Sequence, residues 1–295
     1  MSRQMKKRAK NEKAPAKTTG TLYVVATPIG NLEDITLRAL RTLKEVDLIA
    51  AEDTRHTRKL LTHFGIATPT ISYYKEKECE RAVDIITKLQ GGQNIALVSD
   101  AGTPGISDPG SILVQKALAA NIRVEPIPGP SSLTAALSVS GIQDKSFIFL
   151  GFAPSRKKQR QDLLDSLSQD KRPLIFFEAP HRIQAFFQDC FEILGERQVY
   201  WSREITKMHE ELIRDSLSAV LVHCQNKKVK GESVIIISGA LDRPQISAAT
   251  VAEILTAYKK SGNKSLKDAV QNIADEYKLS RSAVYKMALK IWEKI

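Results

Sequence analysis

Short apolar runs alternate with amphipathic stretches through the first half of the chain. Thr21-Leu-Tyr-Val-Val-Ala26, Asp47 to Ala51, Ile95 to Val98 and Arg123 to Ile127 each have the length and apolar content of a buried strand. Between them, Leu37 to Lys44, about 57–64, 77–90, Ser111 to Ala119 and a small-residue stretch through Ser140 carry helical spacing. Strands alternating with helices predict an α/β domain with a parallel sheet over 20–143. From Gly141 to Lys145 the character changes. Phe147 to Phe152, Leu174 to Glu178, Gln198 to Lys207 and Ser233 to Ser238 then read as strands, with a basic helix opening at Ser155 and an aromatic-rich one after Arg182. His209 to Gln225 reads as helical, so 144–242 is expected to be a second α/β domain of mixed strand direction. After a linker at 242–247, Val251–Lys260, Ser265–Tyr277 and Arg281–Glu293 predict an all-helical end over 245–295. Its Lys278-Leu-Ser280 turn, with Ser280 as N-cap, has helix-turn-helix spacing.

The loops that close the first strands carry unusual chemistry. Ser99-Asp-Ala-Gly-Thr-Pro-Gly-Ile-Ser-Asp-Pro-Gly110 holds three glycines, two prolines and two carboxylates. In open α/β sheets, ligands settle at the carboxyl ends of the strands. Glycine lets backbone approach a ligand closely and proline stiffens the path. The loop lacks a Gly-Lys-Ser/Thr ending, and its acids would repel a phosphate, so a polar ligand such as a nucleoside fits better. A purely structural turn reads the same way from composition. Asp108 and Ser111 are candidate N-caps for the helix behind it, and Ser131 and Ser132 stand at another helix start, where they can hold a carboxylate or act as plain caps.

Charge changes the picture at the two ends. The net charge is +11, of which residues 1–19 hold +6 and residues 245–295 hold +4, leaving a nearly neutral body. The head, 1–19, has almost no large apolar residues and is expected to be disordered. Basic appendages on a neutral body suggest a polyanion partner, although they also serve solubility. No apolar run approaches the roughly 18 residues that cross a bilayer, and no apolar core of a secretory signal follows the basic start. Cys79, Cys190 and Cys224 are far apart and form no C-x-x-C pair, so neither a disulfide framework nor a metal site is expected. The expectation is a reduced, cytoplasmic protein with no membrane span.

Taken together, Ala26-Thr-Pro-Ile-Gly-Asn-Leu-Glu-Asp-Ile-Thr36, Ala51-Glu-Asp-Thr-Arg-His-Thr57, the 99–110 loop, Pro128-Gly-Pro-Ser-Ser132, Phe177-Glu-Ala-Pro-His-Arg182 and Arg203-Glu-Ile-Thr206 resemble the tetrapyrrole (corrin/porphyrin) methylase superfamily. Within it, the set is most similar to the bacterial 16S ribosomal RNA cytidine 2′-O-ribose methyltransferases. Where many relatives carry a glycine-rich first loop, this chain has Thr27-Pro28-Ile29. The resemblance implies two α/β domains with a cofactor cleft between them and an appended helix-turn-helix. It implies S-adenosylmethionine as cofactor, held by Ile29, Asp100, Ala101, Gly102, Thr103, Ser131 and Ser132. It further implies action on a cytidine in the decoding region of small-subunit ribosomal RNA, and a homodimer. A porphyrin- or corrin-precursor methyltransferase and a non-catalytic RNA-binding ribosome-assembly factor are the alternatives.

A ribose hydroxyl is a poor nucleophile at neutral pH, so a base or a polarising cation is expected beside it. Glu178 is the first candidate base because it ends a buried-looking strand, with Asp53 second and Arg55 beside it. His181, Arg182, Arg203 and Glu204 are further polar candidates, although Arg–Glu neighbours read equally well as structural ion pairs. For RNA, Arg182 and Arg203 are candidates near the cleft. At the helical end, Leu266, Val270, Ile273, Ala274 and Tyr277 share one face, and Ala283, Val284, Met287, Ala288 and Ile291 another. That leaves Arg281, Ser282, Lys286 and Lys290 outward, with Arg281, Lys286 and Lys290 as candidate phosphate contacts.

Overall fold

The computed structural model describes residues 19–226, 229–240, 247–261, 265–277 and 281–292. The basic head up to residue 18, the expected linker apart from Ser247, and the 278–280 turn with Ser280 lie outside the described residues, as do the side chains of Asn226, Asp275, Ser282 and Ala283.

The first sheet has the order β3-β2-β4-β1-β5, built from β1 (Thr21–Val25), β2 (Leu48–Ala51), β3 (Thr70–Ser72), β4 (Ile95–Val98) and β5 (Arg123–Ile127). All its pairings are parallel. A parallel sheet is covered on both faces, which is why its strands read as continuous apolar runs. Strand alternation sends Val25, Ile49, Ala51, Ala96 and Val98 to one face, where α1 (Leu37–Glu45) and α2 (Thr54–His63) pack. Leu22, Leu48, Ala50, Ile95 and Leu97 go to the other, against α3 (Glu78–Gln90) and α4 (Ser111–Ala119).

The second sheet has the order β6-β7-β10-β8-β9, from β6 (Ile148–Phe152), β7 (Leu174–Glu178), β8 (Gln198–Arg203), β9 (Glu211–Ser216) and β10 (Ser233–Ile237). Only β6–β7 is parallel, giving the mixed direction expected. One face packs on α6 (Lys157–Ser166), α7 (Ile183–Leu194) and α8 (Leu217–Asn226), with Phe176, Phe186, Phe187 and Trp201 at its centre. The other face receives Leu133, Ala136 and Leu137 of α5 (Ser132–Ser140), the helix that leaves the first sheet after β5. This one helix brings the strand-end loops of the first sheet against the second.

Two expectations need correction, and one strand carries no sequence signal. Residues 211–216 form a strand, not the start of a helix: β9 is an edge strand paired only to β8, and its half-buried Glu211 and Ile213 alternate with exposed Leu212 and Arg214. That two-residue period is hidden in a segment with apolar residues on both sides. The short strand β3 is unmarked in the sequence pattern. Neither Asp108 nor Ser111 caps α4; its N-cap is Gly110, without a side-chain cap.

The chain divides into two compact units after Ala240. The second unit holds α9 (Ala248–Ser261), α10 (Leu266–Tyr277) and α11 (Arg281–Trp292). Val251, Leu255, Val270, Ile273, Val284 and Ala288 form its core, so the expected apolar faces of α10 and α11 do meet.

Candidate active site

The 99–110 loop is tied down at both ends and its middle. At its start, Asp100 Oδ1 accepts the Asp53 N–H at 3.0 Å, while the Asp100 N–H donates to Glu52 Oε2 at 3.3 Å. In the middle, Thr27 and Gly102 exchange backbone hydrogen bonds of 2.9 and 3.0 Å, which joins the first loop to this one. Gly102 has φ +78°, a left-handed conformation that glycine adopts without a Cβ clash. Thr103 Oγ1 donates to the Pro130 carbonyl at 3.3 Å, adding the loop after β5. At the far end, buried Glu78 accepts from the Gly110 N–H at 2.8 Å and the Tyr73 hydroxyl at 3.0 Å.

All seven residues expected at the cofactor converge on one cleft: Ile29, Asp100 to Thr103, Ser131 and Ser132. The facing wall comes from the second sheet, with Phe152, Phe177 and Val234, and from Glu204, Ile205 and Lys207 beyond β8. Glu52, Ile106, Ser107, Asp108, Glu232 and Ser233 complete it. Among the facing residues, only Glu204 is singled out by the sequence as a candidate. The signal for the others is the partner face of each strand, unreadable until it is known which face meets α5.

The cleft wall is acidic. Glu52, Asp100, Asp108, Glu204 and Glu232 line it against a single cation, Lys207, among the described residues. Burial pushes the Glu52 carboxyl up, opposed by the Asp100 N–H, with Asp108, Asp100 and Asp53 adding repulsion. Asp108 is raised for the same first reason, helped by Glu232 and Asp100 and opposed by a hydrogen bond from Ser99. Ser131 is the N-cap of α5, yet its side chain makes no cap hydrogen bond. The first turn of that helix therefore keeps N–H groups and a hydroxyl for an anionic group. Carboxylates for a cationic centre, a helix start for a carboxylate and apolar walls for a ring suit S-adenosylmethionine, which carries all three. Among the described residues, no three of His, Cys, Asp and Glu are grouped to hold a metal ion.

The proposed bases fall elsewhere. Glu178 is fully buried and lines no part of the cleft. On β7, Phe177 faces the cleft and the next side chain turns to the helix-covered side, where Glu178 Oε1 meets Arg182 Nε at 3.2 Å. Burial raises its carboxyl, against the opposing pull of the Ala179 N–H, Arg182, Arg160 and His181. Arg182 also donates to the Ala153 carbonyl. Arg203 is buried on that same side, paired with Glu211, bonded to the Lys230 carbonyl at 3.2 Å and placed over the Trp201 ring. Neither arginine is presented to an RNA in the cleft. Asp53 is the N-cap of α2 and accepts the Arg55 N–H at 2.8 Å, which holds its carboxyl below the usual range. Arg55 is 91 % exposed, and neither residue enters the cleft wall. In the second unit, Arg281, Lys286 and Lys290 are all exposed on α11.

The sequence profile of the tetrapyrrole (corrin/porphyrin) methylases matches residues 21–221. The chain belongs to this family. It is a methyltransferase, with S-adenosylmethionine as the methyl donor of its kind. It is 48 % identical over 275 residues to the ribosomal RNA small subunit methyltransferase I of Synechocystis sp., covering 92 % of this chain and 98 % of that protein. The protein of the same name from Thermotoga maritima is 47 % identical over 220 residues, covering 75 % and 99 %. Among solved structures, uroporphyrin-III-C-methyltransferase from Thermus thermophilus superposes with a TM-score of 0.54 at 17 % identity, over 74 % of this chain and 94 % of that one. A diphthine synthase gives 0.57 at 14 % identity, over 75 % and 90 %. At those identities the likeness is one of fold.

Proposed function

We propose that this chain methylates the ribose 2′-hydroxyl of a cytidine in the decoding region of 16S ribosomal RNA, in the cytoplasm and as a homodimer. The observation that carries the reading is identity of nearly one half across 98 % of a protein named for small-subunit ribosomal RNA methylation. The tetrapyrrole enzymes share the fold at 17 % identity, and a soluble small molecule gives no reason for exposed Arg281, Lys286 and Lys290 on an appended helical unit. A formed cleft speaks against a non-catalytic assembly factor. Among the described residues, no helix is long and apolar enough to cross a membrane.

When bound, S-adenosylmethionine supplies an electrophilic methyl group on a sulfonium. The protein's work is to align an acceptor oxygen with it and exclude water. Asp100, fixed by the Asp53 N–H, is positioned to accept from a hydroxyl or amine of the cofactor. Ser131 and Ser132 at the start of α5 would hold its carboxylate, and Ile29 with the facing phenylalanines would shield the ring. A second groove shares Asp100 and is lined by Pro28, Gly30, His56 and Lys59, which gives an acceptor strand a path with basic groups along it. The test is labelled-methyl transfer to small-subunit particles. Label should appear on ribose oxygen, so that the adjacent phosphodiester resists alkali; label on a base or on a tetrapyrrole would refute the reading. Sedimentation of the purified protein checks the dimer.

A further inference from the structure

The loop between β8 and β9 is held in a conformation that its residues do not favour. Glu204 and Thr206 have φ of 50° and 66°. Left-handed backbone is costly for any residue but glycine, and most of all for a β-branched threonine. Contacts on both sides enforce it. Thr206 Oγ1 accepts the Asn31 N–H of the first loop at 3.1 Å, and the Thr206 N–H donates to Glu210 Oε2 at 2.6 Å. Glycines make the room: a Cβ on Gly30 would lie 2.5 Å from Lys207 Cγ, and one on Gly231 would collide with the Glu204 carboxyl group. The outcome is one arrangement, with Lys207 Nζ 2.8 Å from Glu204 Oε1 and both side chains in the cleft wall.

Backbone bonds already fasten this loop, since the Glu204 N–H reaches the Glu232 carbonyl and the Lys207 N–H the Glu204 carbonyl. An ammonium is also the wrong charge to hold a sulfonium. We infer that Lys207 and Glu204 receive the acceptor hydroxyl: Lys207 donates a hydrogen bond to the acceptor oxygen and Glu204 takes its proton. The assignment rests on the proposed RNA ribose methylation. In the step, the acceptor oxygen forms the bond to the methyl carbon as the carbon–sulfur bond breaks, its electron pair staying on sulfur. The hydroxyl proton passes to Glu204 and from there to water. Lys207 stabilises the charge gathering on the oxygen. The pair fills the role that strand alternation denies to Glu178.

The experiment compares wild type with Lys207→Met, Lys207→Arg and Glu204→Gln in single-turnover methylation of small-subunit particles. S-adenosylmethionine binding, measured by calorimetry, serves as the check on folding and on the cofactor site. Lys207→Met and Glu204→Gln should each slow methyl transfer by about 100-fold or more, with any change in cofactor affinity far smaller than the loss of rate. Glu204→Gln should also lose the acid limb of the pH–rate profile, and Lys207→Arg should recover part of the rate lost in Lys207→Met. Variants that methylate at the wild-type rate overturn the assignment, as do variants whose cofactor affinity falls in step with the rate. Equal losses in Lys207→Arg and Lys207→Met assign the effect to packing and overturn it too. A wild-type protein that leaves the particle unlabelled refutes the proposed function itself, and this assignment with it.

Discussion

Glu52 has its carboxylate beside those of Asp100 and Asp108 on one wall of the cleft, and burial raises its pKa above the ordinary 4.5. The folded protein therefore holds this proton to higher pH than the unfolded chain does. Its contribution to stability is fully present below the unfolded-state value and is lost as pH rises through the folded one. Glu52→Gln keeps an oxygen to accept the Asp100 N–H but removes the titration. Urea denaturation at about pH 4 and about pH 7 should show the variant gaining on wild type as pH rises. An equal difference at both values would mean that Glu52 ionises in the fold without cost. A ligand with a cationic centre favours the ionised carboxylates, so binding it offsets part of this penalty.

At the scale of elements, the two-residue period of a strand decides more of the chemistry than residue type does. Phe177 and Glu178 are chain neighbours on β7, yet one lines the cleft and the other is sealed against α7 with Arg182. The same face takes up Arg160 of the basic helix α6: its Nε donates to Asp189 Oδ2 at 2.7 Å, and both side chains are buried. The basic run that opens this helix thus supplies one buried ion pair. The β8–β9 loop is the other element whose position matters, because it reaches the first loop at Gly30. Gly30→Ala would force its Cβ to within 3.0 Å of Thr206 Oγ1 and Lys207 Cγ, so the loop must move. Thermal denaturation should show a destabilisation of about 1–3 kcal/mol. Methyl transfer should fall further than stability does, since the displaced loop carries three wall residues. Wild-type turnover in the folded variant would show that contact with the first loop is incidental.

For the whole molecule, the cleft and the last helix carry charge of opposite sign. The cleft is acidic, whereas the exposed cations Arg281, Lys286 and Lys290 sit on α11 of the second unit. On the proposed reading, affinity for a polyanion depends on salt through the second unit more than through the cleft. Replacing those three residues with Ala should leave calorimetric binding of S-adenosylmethionine intact and weaken binding to the particle. The slope of log affinity against log salt should become shallower by about one for each phosphate that is no longer neutralised. An unchanged slope across a salt series would make α11 a packing element and return the search for the RNA-binding surface to Lys59 and its neighbours.

The sequence by itself determined four of the five strands of the first sheet and the loops that close them. Apolar runs of strand length bounded by glycine and proline are local signals. Asp100 to Thr103, Ser131 and Ser132, which the resemblance to the methylase family implies at the cofactor, are found together on one cleft. The apolar faces of α10 and α11 were legible locally as well, since a helix writes its buried side into a period of 3.6. Only the tertiary structure decided which face of each second-sheet strand meets α5, because period two fixes two faces without saying which is which. That choice sends Phe177 and Val234 to the cleft and Glu178 and Arg203 away from it. It also sets Lys207 beside Glu204, through a left-handed turn that the residues Glu-Ile-Thr would not adopt alone and that packing against Gly30 and Gly231 enforces.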